Sequence, residues 1–209
     1  MQKLVLRLTY GIFVRNILRM IVGVHFDNSK FLLQEKQFII VANHNSHLDT
    51  MALMASLPGT IIHKVKPVAA MDYFGKTKMM AMLSNYFINT LLIERKSERT
   101  PENDPIKKMV DALDEGYSLI LFPEGTRGEP EKMQAFKKGV ARILSQRPTV
   151  KYVPAYLKGL GKTWPKGERV IVPYNSYLRF GKPTLINTQD VDEILVQVER
   201  DVLELKEKS

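Results

Sequence analysis

FIIVANHNSHLDT, residues 38–50, is the stretch from which the fold is most directly predicted, because it joins an apolar run to a dense polar loop. The run 38–42 has the length and composition of a buried strand. The loop that follows contains two histidines, two asparagines, a serine and an aspartate. In open α/β sheets, ligands bind beyond the carboxyl ends of the strands. This loop is therefore the first place in the chain where we expect a functional site.

The same alternation of apolar runs and helical patterns continues along the chain. A strand with one apolar face is expected over 170–180, where apolar residues occur at alternate positions. We predict an α/β fold with a largely parallel mixed sheet flanked by helices. The other expected strands are 37–42, 60–69, 88–93, 117–122 and 150–157. The expected helices are 46–56, 76–86, 103–115, 136–146 and 189–207, and Gly116 is expected to cap the end of helix 103–115.

Composition narrows the classes of function. The 209 residues suit one substantial core, and the absence of cysteine excludes disulfides, thiol nucleophiles and thiolate metal sites. Lys and Arg outnumber Asp and Glu by 31 to 22, and the net charge of +9 favours polyanionic partners such as nucleic acid, anionic lipid or phosphorylated substrates. The basic residues are spread over the chain without a nucleic-acid-binding motif, so we expect no nucleic-acid partner.

The N-terminal segment predicts an amphipathic helix. Arginines break up its apolar run, which makes it too polar for a membrane-spanning helix. One interpretation is a basic helix lying in a membrane interface, and the other is a first helix packed on the core. We divide the chain into this helix, 1–28, and a main domain, 29–209. The apolar residues at helical spacing are Leu4, Leu8, Ile12, Leu18 and Ile21, and the basic residues between them are Arg7, Arg15 and Arg19.

Three interpretations apply to the histidines of the first loop. Asp49 follows His44 closely enough for its carboxylate to fold back onto the ring, which would fix the tautomer of a general base. Ser46 and Asp49 also match the capping box of a helix start, with Asp in the place of Glu. The last interpretation is a zinc or iron site formed by His44, His47 and Asp49, as in a metal-dependent hydrolase.

The stretch LILFPEGTRG, residues 119–128, is a second buried strand that opens into a polar loop. Pro123 ends the strand, and Gly125 permits positive φ or close approach. Thr126 and Arg127 supply donors suited to phosphate oxygens. The alternative is a glutamate–arginine pair, with Glu124, that only holds the loop together.

A third expected strand ends in a carboxylate and a guanidinium, at Glu94 and Arg95. This pair is common after strands and has little meaning alone. Because three successive strands now end in polar groups, we expect these groups to share one edge of the sheet.

Taken together and in order, these blocks resemble the motifs of the glycerolipid acyltransferase family whose type is the bacterial lysophosphatidic acid (1-acyl-glycerol-3-phosphate) acyltransferase. The resemblance covers roughly residues 38–160. Two motifs depart from the pattern beside the expected head-group site: Asn89 and Thr90 replace glycines of the second motif, and Gly128 replaces the usual Ser after the third. The blocks are Asn43-His44-x-Ser46-x-x-Asp49, Ile93-Glu94-Arg95, Phe122 through Arg127 with Phe136-Lys137-Lys138-Gly139 downstream, and Val153-Pro154.

The resemblance implies transfer of a fatty acyl group from acyl-CoA or acyl carrier protein to the sn-2 hydroxyl of 1-acyl-glycerol-3-phosphate, making phosphatidic acid. His44 would be the general base and Asp49 would orient it. No metal or cofactor is implied beyond the acyl donor as co-substrate. Other lysophospholipids or an amino-acid lyso lipid are alternative acceptors within the family.

The resemblance also implies the residues that bind the acceptor. Arg95 and Arg127 would hold its phosphate, with Thr126 adding a hydroxyl donor beside Gly125. Glu124 would orient an arginine or the glycerol hydroxyls.

A lipid acceptor implies a peripheral membrane protein, here expected on the cytoplasmic face of the inner membrane. A second basic patch around Trp164 would meet anionic lipid, or is simply a solvated basic loop. Four methionines would line an acyl-chain tunnel, or are plain core. The patch comprises Lys158, Lys162, Lys166 and Arg169, and the methionines are Met71, Met79, Met80 and Met82.

Overall fold

The computed structural model of the chain describes residues 1–71, 86–94, 104–164 and 170–207. Seven strands form one sheet: β1 (Val24–Phe26), β2 (Phe38–Ala42), β3 (Val65–Ala70), β4 (Leu91–Ile93), β5 (Ser118–Leu121), β6 (Lys151–Lys158) and β7 (Ser176–Phe180). Their order is β1-β7-β6-β2-β5-β3-β4. The five strands from β6 to β4 are parallel, and β7 pairs antiparallel with β6 and parallel with β1. The predicted α/β fold with a largely parallel mixed sheet is confirmed.

Helices cover both faces of this sheet. Because alternate residues of a strand point to opposite faces, β2 contributes Ile40 to one core and Ile39 and Val41 to the other. The first core lies under α1 and α2, and the second lies under α3, α4 and α6. The helices are α1 (a continuous run of Gln2–Leu8, Thr9–Val14, Arg15–Ile17 and Leu18–Val22), α2 (Asp49–Ser56), α3 (Pro105–Asp114), α4 (Gly139–Gln146), α5 (Leu160–Thr163) and α6 (Val191–Glu207).

The helix α1 has two apolar faces. Its buried face repeats every four residues, and its segments 9–14 and 18–22 are π-helical. A spacing of four rotates around an α-helix of 3.6 residues per turn, and the wider π-helical turns offset that rotation. Leu18, which we expected on the same side as Leu4, is only 1% exposed, whereas Leu4 is 60% exposed. Within the described residues, no helix has the length and apolar character needed to cross a membrane. The buried residues are Leu6, Tyr10, Val14, Leu18 and Val22.

Three predicted strands begin three or more residues later than expected. The strand expected from 60 begins at Val65, after a 3-10 turn over Ile62–Lys64. The strand expected from 88 begins at Leu91, because Asn89 adopts a positive φ of 59° that interrupts extended backbone. The strand expected over 170–180 is extended only in β7. The predicted helix 76–86 lies almost wholly outside the described residues.

Candidate active site

The loops that follow β2, β5 and β6 meet at one edge of the sheet. This happens because β2 lies between β5 and β6 and all three run parallel. Asn43, 1% exposed, closes the gap beyond β2 and β6: its side-chain amide donates to the Leu157 carbonyl at 2.9 Å and accepts from the Leu157 amide at 2.8 Å. The side chain thereby continues the pairing of the two strands by one step. Sequence reasoning named Asn43 as part of a motif without assigning it this role.

His44 and Asp49 form the pair expected from their spacing. The Nδ1 atom of His44 lies 2.9 Å from Oδ2 of Asp49, which is fully buried. The same oxygen accepts the backbone N–H groups of Asn45 and Ser46, each at 2.7 Å. A carboxylate that already accepts two N–H groups favours a proton on Nδ1 of His44, which leaves Nε2 as the acceptor.

The capping-box interpretation holds only in part, because α2 has Leu48 as its N-cap residue and no side-chain capping bond. Asp49 reaches back to the Ser46 amide, as the second half of a capping box does. The Ser46 hydroxyl instead accepts from the Leu48 amide at 3.2 Å and donates to the Trp164 carbonyl at 2.9 Å. The helix α2 consequently begins at Asp49, three residues later than expected, because residues 46–48 form the turn that carries the carboxylate back to His44.

The second polar loop holds His44 from three directions. The imidazole ring stacks on Phe122 with centroids 4.2 Å apart and planes inclined by 20°. The His44 amide donates to Oε1 of Glu124 at 2.7 Å, and its carbonyl accepts from the Gly128 amide at 3.0 Å. Both the ring and the backbone of His44 are therefore fixed by residues about 80 positions away in sequence.

Glu124 supports the loops at the back of the site. It is 1% exposed, and its two oxygens accept the His44 amide and the Gln134 amide at 2.7 and 3.0 Å. Burial raises the pKa of this carboxyl, while the two hydrogen bonds lower it by a smaller amount. We expected Glu124 to orient an arginine or the glycerol hydroxyls. Its observed hydrogen bonds go to two backbone amides instead, one of which belongs to His44.

Gly125 brings a cation close to the backbone of this loop. Its φ is 75°, in the region that favours glycine, and a Cβ at this position would lie 2.7 Å from Nζ of Lys137. Thr126 next to it is exposed. Lys137 was noted in sequence only as part of a familial block. A lysine three residues after Gln134 is too common a sequence feature to identify Lys137 as part of the site.

Arg127 and His47 lie against each other at the mouth of the site. One guanidinium nitrogen of Arg127 contacts both ring nitrogens of His47. The His47 ring also packs on Trp164, with centroids 5.0 Å apart, and burial together with the Arg127 charge lowers its pKa. The sequence pattern placed His47 only in the metal interpretation, and nothing in the spacing connects it with Arg127.

The metal interpretation required His47 to join His44 and Asp49, but His47 is turned toward Trp164 and Arg127. Among residues 1–71, 86–94, 104–164 and 170–207, no three His, Asp or Glu side chains come together in a group suited to a metal ion.

The second motif is only partly described. Arg95, Met79, Met80, Met82, Lys166 and Arg169 lie outside the described residues, and Met71 is half-buried. Asn89 does not border the head-group site as expected. It is 4% exposed, and its side-chain amide donates to the His63 and Val65 carbonyls at 3.0 and 2.9 Å, at the amino end of β3. Gly128 does border the site through its bond to His44.

The sequence of this chain is similar to those of known proteins. The family model described as Acyltransferase matches residues 23–158. The chain is 29% identical over 188 residues to the 1-acyl-sn-glycerol-3-phosphate acyltransferase of Cocos nucifera, an alignment covering 88% of this chain and 57% of that protein. It is 28% identical over 192 residues to the protein of the same name from Limnanthes douglasii, covering 88% and 63%. The chain thus spans less than two thirds of the length of these relatives.

The fold is shared with a solved structure. The 1-acyl-sn-glycerophosphate (LPA) acyltransferase from Thermotoga maritima matches with a TM-score of 0.72 at 22% identity. The match covers 98% of this chain and 79% of that one, so it extends well beyond the residues of the family model.

Proposed function

We propose that this chain, which belongs to the acyltransferase family, moves a fatty acyl group from a thioester donor to the sn-2 hydroxyl of 1-acyl-glycerol-3-phosphate, making phosphatidic acid. The donor is acyl-CoA or acyl carrier protein. The observation that carries the reaction is the buried Asp49 carboxylate on Nδ1 of His44, which leaves Nε2 to take a proton. The acceptor is supported by the names of the relatives and by the cations beside the pair.

In this mechanism His44 is the general base. Its Nε2 takes the proton of the acceptor hydroxyl while that oxygen attacks the thioester carbonyl carbon. The tetrahedral intermediate then collapses, the carbon–sulfur bond breaks, and the departing thiolate receives the proton from the imidazolium. Asp49 stabilises the imidazolium between the two steps, and Phe122 holds the ring in its plane.

Cations beside the pair bind the acceptor's phosphate in this proposal. Arg127 offers a planar fork of donors, which suits phosphate oxygens, and Thr126 adds an exposed hydroxyl. Lys137 adds a charge over the backbone of Gly125. Arg95 is proposed for the same task on the resemblance alone. Glu124 is a positioning residue, because it acts on substrate only through the backbone of His44.

The lipid acceptor places the protein at a membrane. We propose that it binds peripherally, on the cytoplasmic face of the inner membrane, through the exposed apolar face of α1. This face includes Leu4, Ile12 and Phe13, which are 60, 56 and 66% exposed. Its basic neighbours suit anionic lipid, and we expect no nucleic-acid partner.

The test is acyl transfer to lysophosphatidate in detergent micelles, from palmitoyl-CoA and from palmitoyl carrier protein in parallel. We expect His44→Ala to lower kcat by about 10²- to 10⁴-fold. His25→Ala is the matched control, because His25 lies in β1 and stacks on Tyr177 away from the site. Absence of transfer by the wild type with both donors would overturn the acceptor. Full activity of His44→Ala would overturn the base.

A further inference from the structure

Residues 170–174, VIVPY, expose apolar side chains that a sheet face was expected to bury. Val170, Val172 and Tyr174 are 68, 56 and 42% exposed, and Ile171 between them is 42% exposed. In a strand covered on one face, either the odd or the even positions would be buried. Here both sets face solvent. A cluster of exposed apolar residues of this kind marks an interaction surface.

The segment is held in place by the rest of the molecule. The Val172 amide donates to the Thr163 carbonyl at the end of α5 at 2.9 Å, and the Tyr174 amide donates to the Val22 carbonyl at the end of α1 at 3.2 Å. Pro173 between them restricts the backbone further. The exposure of these side chains is therefore a built feature of the surface.

The segment is continuous with the exposed apolar end of α1. Met20 and Ile21, just before Val22, are 83 and 61% exposed. The hydrogen bond from Tyr174 to Val22 brings these two apolar groups together into a single surface. Leu4, Leu8 and Ile12 extend this surface along the helix.

The stretches of sequence that form this surface are basic. Residues 1–26 and 170–189 contain no Asp or Glu. The ammonium of Lys162 lies 4.8 Å from the centre of the Tyr174 ring, a pairing of cation and aromatic ring that suits the level of lipid head groups. An exposed apolar surface on basic stretches of the chain fits an anionic lipid surface.

We propose that residues 170–174 form a second membrane-inserting element, which enters an anionic bilayer beside α1. The inference rests on the proposed function, since it takes the membrane as the source of the acceptor. The segment is linked to the active site through Thr163 and Trp164. The Thr163 carbonyl accepts the Val172 amide, and the carbonyl of the next residue, Trp164, accepts the Ser46 hydroxyl and the His47 amide. Insertion at 170–174 thus places the mouth of the active site directly on the lipid surface.

The chain has no cysteine, so single cysteines report insertion without background labelling. We would attach an environment-sensitive fluorophore to Ile171→Cys, Ile12→Cys and Val196→Cys in the full chain, and add vesicles of phosphatidylethanolamine and phosphatidylglycerol. Val196 is 66% exposed on α6, outside the proposed surface, and is the control. We expect a blue shift at 171 and 12 and none at 196. A signal at 171 that matches 196 while 12 shifts overturns the proposal.

A pair of matched double variants tests the energetics. Val170→Asp with Val172→Asp should weaken vesicle binding by about tenfold or more, because aspartates replace apolar groups in the interface. Val196→Asp with Leu203→Asp adds the same charge at exposed positions of α6 and should leave binding unchanged. Equal binding of the two variants, both with the wild-type thermal midpoint, overturns the proposal.

The two proposals fail separately. If the wild type transfers no acyl group in micelles but position 171 inserts into vesicles, the proposed reaction fails and the second element stands. If transfer is normal and 171 does not insert, the reaction stands and the second element fails.

Discussion

The loop 43–49 and the segment 170–174 are both irregular stretches beside the sheet, and each reverses the usual distribution of residues. The loop is polar and buried: Asn43, Asn45, Ser46 and Asp49 are all at most 3% exposed. The segment is apolar, and four of its five residues are at least 42% exposed. Buried polar groups in proteins are hydrogen-bonded, and exposed clusters of apolar residues mark interaction surfaces. The two reversals therefore mark the proposed chemistry and the proposed lipid contact.

Asp49, in the buried polar loop, is the residue at which we expect the largest effect. Asp49→Asn should lower kcat by about 10²-fold or more, because an amide no longer favours the proton on Nδ1 of His44. The acceptor KM should change little, since Asp49 does not touch substrate. Steady-state kinetics against Asp192→Asn, an exposed carboxylate on α6, separates this effect from a general loss of charge. A change confined to KM would contradict the assignment.

At Asn43 the expected effect is on stability. Asn43→Ala would leave the Leu157 amide and carbonyl unpaired in a buried place, which should lower the free energy of unfolding by about 2–4 kcal/mol. Asn28→Ala, which removes one exposed hydrogen bond to the Lys30 amide, is the control. Denaturant titration measures both. Equal losses would show that the buried polar loop is no more dependent on its hydrogen bonds than the surface is.

Glu124 adds a pH dependence to the buried polar region. Its pKa is raised above the ordinary value of 4.5, so the folded state binds the proton more tightly than the unfolded state does. The free energy of unfolding then falls as pH rises from about 4.5 through the raised pKa, and is level above it. Glu124→Gln lacks this titration. The difference in unfolding free energy, wild type minus variant, should fall across that window in denaturant titrations from about pH 4 to about pH 8.

A rise of that difference with pH would mean that the backbone hydrogen bonds to Glu124 outweigh its burial. The ionised carboxylate of Glu124 would then stabilise the folded state, and the pH dependence of the unfolding free energy would have the opposite sign.

The smallest effect is expected in the apolar segment when no lipid is present. Val172→Asp should change the free energy of unfolding by no more than about 0.5 kcal/mol, because the side chain is already in solvent. Val153→Asp, at a fully buried position of β6, should destabilise strongly because it buries an unpaired charge. Thermal unfolding of both variants is the measurement. A large loss at Val172 would identify the segment as part of the core.

Sequence predicted the contacts that are local in the chain. The His44–Asp49 pair follows from a separation of five residues, and the positive φ of Gly125 follows from residue type. The contacts of Asn43 with Leu157 and of Glu124 with the His44 amide depend on which strands become neighbours. The sheet order β6-β2-β5 is not written in any single motif, so these partners could not be predicted.

The apolar patterns in the sequence did not show which surroundings each apolar residue packs against. Alternation at 170–180 predicted a strand, yet only β7 has the neighbours that a strand needs. The apolar stripes of α1 were assigned with α-helical spacing, and Leu18 moved to the buried face in a helix with π-helical turns. An apolar pattern shows which residues avoid water. Whether protein or lipid replaces that water depends on the rest of the fold.

The bonds that hold the loop 43–49 also determine when the site can appear during synthesis. They join residues separated by 80, 114 and 118 positions, at Glu124, Leu157 and Trp164. Contacts of such long range form late, after the loop-closure entropy has been overcome. A nascent chain that has emerged only as far as β5 contains both His44 and Asp49 but lacks the strand that fixes their loop. We therefore expect a ribosome-bound intermediate without a formed site, whose apolar α1 is already available to a membrane before the chain is complete.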